Sequence, residues 1–458
     1  MIAPARVAAY RILSAVSAGR ADLPDALDAT RASLHDERDK ALAAEVAIGV
    51  QRWRAALDYL IVHYSHRPLE RLDREVVEIL RLSVYQLLHL TRVPASAVVD
   101  DAVELAKWAG KRSASGLVNA VLRSILRNRL TLPWPRRPED PDREVDALEY
   151  LSVTLSHPLW LVSRWYRRYG FDAVERWLRF NNDPAPLTLR ANRLRNTPDE
   201  LRDRLHAQGV SVTPTRLAPD GLIVESGHPL RGGGPGSPGS DNAGWFIVQD
   251  EASQLVTLLA GADPGSRVLD TCAAPGGKTV ALAASMSATG LLVACDVRDR
   301  RMTLLRRTVA NSGARNVRLV QADLARPLPF PPSFACVLVD APCSGLGTLR
   351  RDPDIRWRRR EADLPVLAAA QLNMLVHAAA VVAPGGRLIY ATCSSEPEEN
   401  ESVAGAFLRA SPDFSALDAK ASAAPLSAAV VDEQGHLRTY PHVHGLEAFF
   451  GAVFARVR

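Results

Sequence analysis

Lysine is nearly missing from this 458-residue chain: five of its 56 basic residues are lysines, at positions 40, 107, 111, 278 and 420. So strong an arginine bias reflects genome composition as readily as a selected nucleic-acid surface, so single arginines mean little and only clusters count. Cysteine is sparse as well. The five cysteines contain no CxxC pair and all fall after residue 271, which argues against a disulfide framework or a zinc site and for a reducing compartment. No apolar run reaches the roughly 18 residues that span a bilayer. The start, MIAPARVAAYRILSAV, lacks the unbroken apolar stretch of a secretory signal. The expectation is a cytoplasmic protein with no membrane and no metal partner. Phosphate-binding loops are also absent: the stretch DTCAAPGGKT is not GxGxxG, and it lacks the upstream glycine that a P-loop needs before GK.

What is present is a composition for folded cores, 47% hydrophobic and 23% charged, with a net charge of +5 and a pI near 9.0 that permits a polyanionic partner. The length predicts two or three domains. Residues 1–132 read as an all-helical domain, with Val76, Val77, Leu80, Val84, Leu87 and Leu88 at helical spacing. Pro94 closes one helix, Ser96 is the expected cap of the next and Gly110 its stop. PWPRRPEDP, 133–141, cannot be helical and predicts a linker. Residues 144–243 are expected to form a connecting helical and small α/β module ending in the glycine-rich run 231–244, read as a surface loop. Residues 244–458 alternate short apolar strands with helices, the pattern of a Rossmann-like, doubly wound parallel sheet whose ligands bind beyond the carboxyl ends of its strands. The fold class is therefore all-α followed by α/β.

Those strand ends carry the chemistry. The first leads into Cys272, Ala273, Ala274, Pro275, Gly276, Gly277 and Lys278, a small-residue loop that lets a ligand approach the backbone and the start of a helix. Asp296 ends the second strand, where an acid can hold ribose hydroxyls, and Asp323 the third, where an acid can accept from an adenine amino group. Singly these are ordinary helix caps; together they describe a site for S-adenosylmethionine.

Four segments, GWFIVQDEASQL, DTCAAPGGKT, VDAPCSG and YATCSSEPEENE, lying between residues 244 and 401, resemble the successive motifs of RNA cytosine-5 methyltransferases of the RsmB/Fmu/Sun and NOL group. The helical N-terminus, with RLSVYQLLHLTRVPASAVVDDAVELAKWAG and GLVNAVLR, resembles the NusB-type RNA-binding domain fused to the bacterial small-subunit member of that group. The glycine-rich run and residues 411–435 are not matched, and GLEAFFGAVF stands where the group has an Asp-Gly-Phe-Phe segment. The resemblance implies methyl transfer from S-adenosylmethionine to C5 of a cytosine in 16S rRNA, free or in an early assembly intermediate.

Cytosine C5 is too weak a nucleophile to take a methyl group unaided. A thiolate added to C6 converts the ring into an enamine that can. Two cysteines stand just past strand ends beside small polar residues, Cys343 in VDAPCSG and Cys393 in YATCSS. In DNA cytosine-5 methyltransferases the Pro-Cys cysteine attacks, whereas in the RNA group the Thr-Cys cysteine does. The resemblance therefore implies Cys393 as nucleophile and Cys343 as the partner in product release. Cys295 and Cys336, within apolar strands, read as buried packing residues, and Cys272 as a backbone contact only. Asp340 can face the methionine end of the cofactor or the cytosine edge, and Lys278 reads as a salt-bridge partner.

LRRDPDIRWRRR, 349–360, holds six arginines and a tryptophan directly after the Pro-Cys turn. Arg350, Arg351, Arg356 and Trp357 are the expected RNA contacts, phosphate binders with an aromatic for stacking; Arg6 and Arg11 are weaker candidates. The rival readings are a non-catalytic ribosome-assembly or antitermination factor, disfavoured by both cysteines and the strand-end acids, and a DNA methyltransferase, disfavoured by the Thr-Cys motif.

Overall fold

Helical spacing of small and branched apolar residues builds the N-terminal part of the computed structural model, which describes residues 2–230, 242–422 and 426–457. Helices α1 (Pro4–Ser17), α2 (Leu23–Arg31), α3 (Glu37–Ser65), α4 (Arg74–His89), α5 (Ala95–Trp108) and α6 (Ser115–Arg127) enclose Leu13, Val50, Leu57, Ile79, Leu80 and Leu122 in one core. Aspartates start two of them: Asp22 accepts from Asp25 N and Asp36 from Arg38 N. α5 starts one residue before Ser96, the expected cap. Pro94 precedes it and no side chain caps it, the fixed φ of proline (−61°) setting the entry instead. Gly49 of α3 has its reason in α4: a Cβ there would lie 1.9 Å from the Tyr85 ring, whose hydroxyl donates to Glu45 at 2.6 Å.

Three further helices, α7 (Glu144–Glu149), α8 (Leu159–Tyr169) and α9 (Phe171–Asn182), complete this part. Trp165 and Trp177 stack at 4.3 Å between α8 and α9. The segment 133–141 is non-helical as expected. Trp134 Nε1 donates to Ala56 O, Thr154 Oγ1 to Pro135 O and Tyr166 Oη to Pro141 O, so the strap is fastened inside the helical unit. One compact unit is Met1–Pro184 with Leu349–Glu361, the other Ala185–Thr348 with Ala362–Arg458. Helices of 144–182 thus lie in the first of these compact units, whereas the four strands of 188–248 lie in the second.

The second unit holds two sheets. Strands β1 (Thr188–Ala191), β2 (Ser211–Pro214), β3 (Gly221–Ser226) and β4 (Phe246–Val248) form a small antiparallel sheet in the order 2-3-1-4. It is covered by α10 (Pro198–Ala207), which Thr197 and Glu200 start with a reciprocal capping box. The expected glycine-rich loop lies outside the described residues from 231 to 241. After α11 (Glu251–Leu258), strands β5 (Arg267–Asp270), β6 (Leu291–Asp296), β7 (Val317–Gln321), β8 (Phe334–Asp340) and β9 (Val382–Thr392) pair in parallel in the order 9-8-5-6-7. Helices α12 (Gly277–Ser285), α13 (Asp299–Ser312) and α14 (Asp363–Ala379) lie between them in sequence, and α15 (Glu401–Ala410) follows β9. The sheet is mixed rather than wholly parallel: β10 (Phe414–Leu417), β11 (Leu437–Arg438) and β12 (Phe450–Arg456) add antiparallel pairings beyond β9. The chain winds one way from β5 and the other way from β8, so the crevice where ligands bind opens between the carboxyl ends of β5 and β8.

Candidate active site

At that switch point the ends of β5, β8 and β9 meet the start of α12. Thr271 donates both its N–H and its hydroxyl to Leu338 O (3.0 and 2.9 Å), locking β5 to β8, and Ala273 N donates to Cys295 O at 2.8 Å, locking the loop to β6. Gly276 starts α12 at φ +108°, a conformation that a side chain rarely adopts. Arg190 of β1 holds the same turn from outside, Nη2 donating to Gly277 O at 2.6 Å and Nη1 to Gln249 Oε1 at 2.5 Å. Sequence reasoning missed this clamp. Gln249 stood inside a quoted motif, but a single arginine in an arginine-rich chain gave no signal.

An acid stands at or just past four strand ends. Asp270 is wholly buried; burial outweighs the hydrogen bond from Thr279 Oγ1 (2.7 Å), the Asp340 and Asp296 charges oppose ionisation further against Lys278, and its pKa rises to about 7. Asp296 is 3% exposed and accepts from Ala274 N (3.1 Å) and Val297 N (2.9 Å), with Arg301 Nε at 3.5 Å. Asp323 lies two residues past the end of β7 and is exposed. Asp340 accepts from Lys278 Nζ at 2.7 Å, and that ammonium also donates to Ser253 Oγ at 3.1 Å. Burial pushes the Lys278 ammonium down, but Asp340, together with the charges of Cys393 and Asp270, outweighs it and holds it above its ordinary pKa. Acceptors dominate, and the lysine's charge is paired with Asp340. Such a set suits a ligand rich in donors, an ammonium, a ribose diol and an exocyclic amine, and not a phosphate. The residues present fit S-adenosylmethionine.

The structure brings Cys343 and Cys393 together, with Sγ to Sγ at 3.2 Å, a thiol hydrogen bond. Hydrogen bonding to Cys393, burial, and the charges of Cys393 and Glu399 push the Cys343 thiol well above its usual range, against a weaker backbone contact from Gly345. Lys278 places a positive charge beside Cys393. Gly347 explains the tight turn after Pro-Cys: its N–H donates to Cys393 O (2.9 Å), its carbonyl accepts from Ala448 N (3.0 Å), and a Cβ would meet Ala448 O at 2.0 Å. Because Ala448 is held by its main chain, the departure at GLEAFFGAVF leaves that pairing intact. Cys295 and Cys336 are buried in their strands, 1% and 3% exposed, and burial raises both thiols to about 12. Burial, with nearby carboxylates, pushes Cys272 up as well.

The arginine segment does other work than expected. Residues 349–361 belong to the helical unit, and Arg356 is 0% exposed. Its guanidinium donates to Ser156 O (3.0 Å), Asn182 Oδ1 (3.0 Å) and Leu349 O (3.2 Å), and burial, with Arg52 nearby, pulls its pKa well down. It collects carbonyls at helix ends and is not placed to meet phosphate. Arg350 donates to Asp183 O and Pro184 O and covers the Phe180 ring at 4.3 Å; Trp357 Nε1 donates to Gln51 O at 2.6 Å beneath Arg54. Arg351 is half-buried. Arg6 is likewise spent internally, on Asp101 and Gln86, whereas Arg11 is exposed. The tryptophan beside the arginines was the missed clue, since an aromatic among them packs as readily as it stacks on a base.

The chain is similar to known proteins over both its helical and its sheet-bearing parts. The profile of the 16S rRNA methyltransferase RsmB/F family matches residues 256–455, that of the NusB family 3–127, and that of the RsmF/B-like ferredoxin-like domain 157–231. The probable ribosomal RNA small subunit methyltransferase B of Bacillus subtilis (strain 168) is 33% identical over 416 residues, 90% of each chain. Ribosomal RNA small subunit methyltransferase B of Pseudomonas putida is 35% identical over 417 residues, 90% of this chain and 91% of its own. The crystal structure of PH0851 superposes with a TM-score of 0.78 at 26% identity, over 99% of both chains. With helical domain, strand-end acids and paired cysteines all inside these matches, the chain belongs to the family of ribosomal RNA small subunit methyltransferase B.

Proposed function

We propose that the chain methylates C5 of a cytosine in 16S rRNA through a covalent bond between Cys393 and C6. As a member of its family it is an S-adenosylmethionine-dependent rRNA methyltransferase; the base, the atom and the adduct are the proposal. When bound, S-adenosylmethionine supplies an electrophilic methyl on a sulfonium. The observation that carries the reading is the 3.2 Å contact of the two thiols beside Lys278.

Cys393 Sγ forms the bond to C6, and the C5–C6 π electrons pass to C5, which takes the methyl as the methyl–sulfonium bond breaks with its electron pair on that sulfur. A base then removes the C5 proton, the C5–C6 double bond returns, and the C6–S bond breaks with its electrons on Cys393 sulfur. Cys343 stands against the sulfur that leaves, and its S–H stabilises the departing thiolate. Lys278 steadies the Cys393 thiolate before attack. The loop 272–278 with Asp296, Asp323 and Asp340 holds the donor. A base inside a duplex would have to be extruded, so the substrate is an unpaired or still accessible stretch of the RNA.

Purified protein, labelled donor and unmethylated small-subunit RNA test the assignment. Cys393→Ala should abolish transfer, by more than about 1,000-fold if covalent catalysis carries it. Cys343→Ala should leave a protein–RNA adduct that survives denaturation. The reverse pattern would exchange the two roles, and absence of transfer by the unaltered protein would favour a non-catalytic RNA-binding factor.

A further inference from the structure

One buried carboxylate touches both cysteine turns. Glu399, in the turn after β9, is 0% exposed. Its Oε1 accepts from Ser344 N at 2.8 Å and from Gln371 Nε2 at 2.9 Å; its Oε2 accepts from Ser394 Oγ at 2.5 Å. Ser344 directly follows Cys343, Ser394 directly follows Cys393, and the two hydroxyls lie 3.2 Å apart. Tyr390 fixes the turn from β9, its hydroxyl donating to Glu399 O at 2.5 Å and lying 3.0 Å from Gln371 Oε1. Among the described residues the three donors to the carboxylate are neutral groups. Burying a carboxylate with neutral donors and no counter-ion among them costs the fold free energy that an uncharged residue of the same shape would spare. The charge therefore points to work at the site.

We propose that Glu399 is a positioning residue of the methyl-transfer site: it ties the two cysteine turns together and, by its charge, keeps the proton of the thiol pair on Cys343. The proposal rests on the assignment of attack to Cys393 and release to Cys343. The groups facing Cys343 include Cys393, Glu399 and Tyr390, with the Gly345 backbone beside it. Those facing Cys393 include Lys278, with Asp340 behind it. Negative charge on one side and an ammonium on the other make two chemically identical thiols unequal. The shared proton is then held where release needs it and kept off the sulfur that must attack.

Glu399→Gln keeps the shape and removes the charge; Ser394→Ala keeps the charge and removes one tie. Full-length proteins would be alkylated with iodoacetamide from pH 6 to 10 without RNA, each cysteine being followed by mass spectrometry. They would then be given RNA and labelled donor and scored for adduct that survives denaturation. In Glu399→Gln the midpoint for Cys343 should fall by about one pH unit, a roughly tenfold faster reaction at neutral pH, and adduct should persist while the KM for the donor is unchanged. Ser394→Ala should lengthen the adduct's life without moving the midpoint. Should Glu399→Gln lower the melting temperature yet leave the two thiols' relative rates as before, Glu399 is only a core residue and the proposal falls. If Glu399→Gln fails to fold, an unchanged adduct lifetime in a stably folded Ser394→Ala overturns the tie. A shifted Cys343 midpoint with no adduct in any protein, the unaltered one included, supports Glu399's control of the thiols and counts instead against the covalent reading.

Discussion

Asp270 sits at the end of β5 with its carboxyl sealed from water, and the proton it holds up to about pH 7 makes it a sensor of the fold's own stability. In the unfolded chain an aspartate ionises near about 3.9. The folded state binds the proton more tightly, so this contribution to stability is complete below the unfolded value and is lost as pH rises through about 7. Urea unfolding at pH 5 and pH 8 should therefore show the unaltered protein losing on the order of 2–3 kcal/mol relative to Asp270→Asn between the two; parallel behaviour would place no proton on Asp270. The residues around it divide by legibility. Cys343 and Cys393 stood out in the sequence because thiols beside small polar residues at strand ends are rare in a core. Glu399 did not, because a glutamate in an acidic run reads as solvated until the fold buries it.

At the scale of elements, the start of α12 is held by two different sheets. Thr271 ties the loop to β8, and Arg190 reaches it from β1 of the small sheet. Burial pulls the Arg190 guanidinium down to about 10, against the Asp220 charge, and at that value it remains a cation at neutral pH. A charge-assisted bond to a buried carbonyl contributes roughly 1.5–3 kcal/mol. Replacing Arg190 with methionine should loosen the turn and raise the KM for S-adenosylmethionine about tenfold, with a smaller change in kcat, as steady-state kinetics at saturating RNA would show. A fall in melting temperature with an unaltered donor KM would mean that the clamp serves only the packing of the small sheet. Strand and helix alternation was readable from residue 244 onward because buried parallel strands are short apolar runs. The antiparallel pairings of β10, β11 and β12 were not, since an edge addition has no signature until its neighbour is known.

At the scale of the whole molecule, a net charge of +5 and an RNA substrate predict affinity that falls as salt rises. Which arginines contribute is a question of exposure. Arg11 on α1 is exposed and lies 5.6 Å over the Trp108 ring, itself 51% exposed; Arg356 is sealed within its unit. Filter binding across a salt series should show Arg11→Ala lowering affinity and the slope against log salt by about one. Arg356→Met should instead lower the melting temperature by several degrees, through unpaired carbonyls, at an unchanged slope. If Arg356→Met flattened the slope in a protein that melts normally, the buried placement would be wrong. The sequence by itself determined the chemistry: a small-residue loop, strand-end acids and two cysteines are covalent facts, and their order along the chain implies a parallel sheet whose loops share one edge. Only the tertiary structure decided which groups meet. Burial is set by packing between segments far apart in the chain, and it alone turned Arg356 inward, carried 349–361 into the helical unit, and set Glu399 between two thiols 50 residues apart.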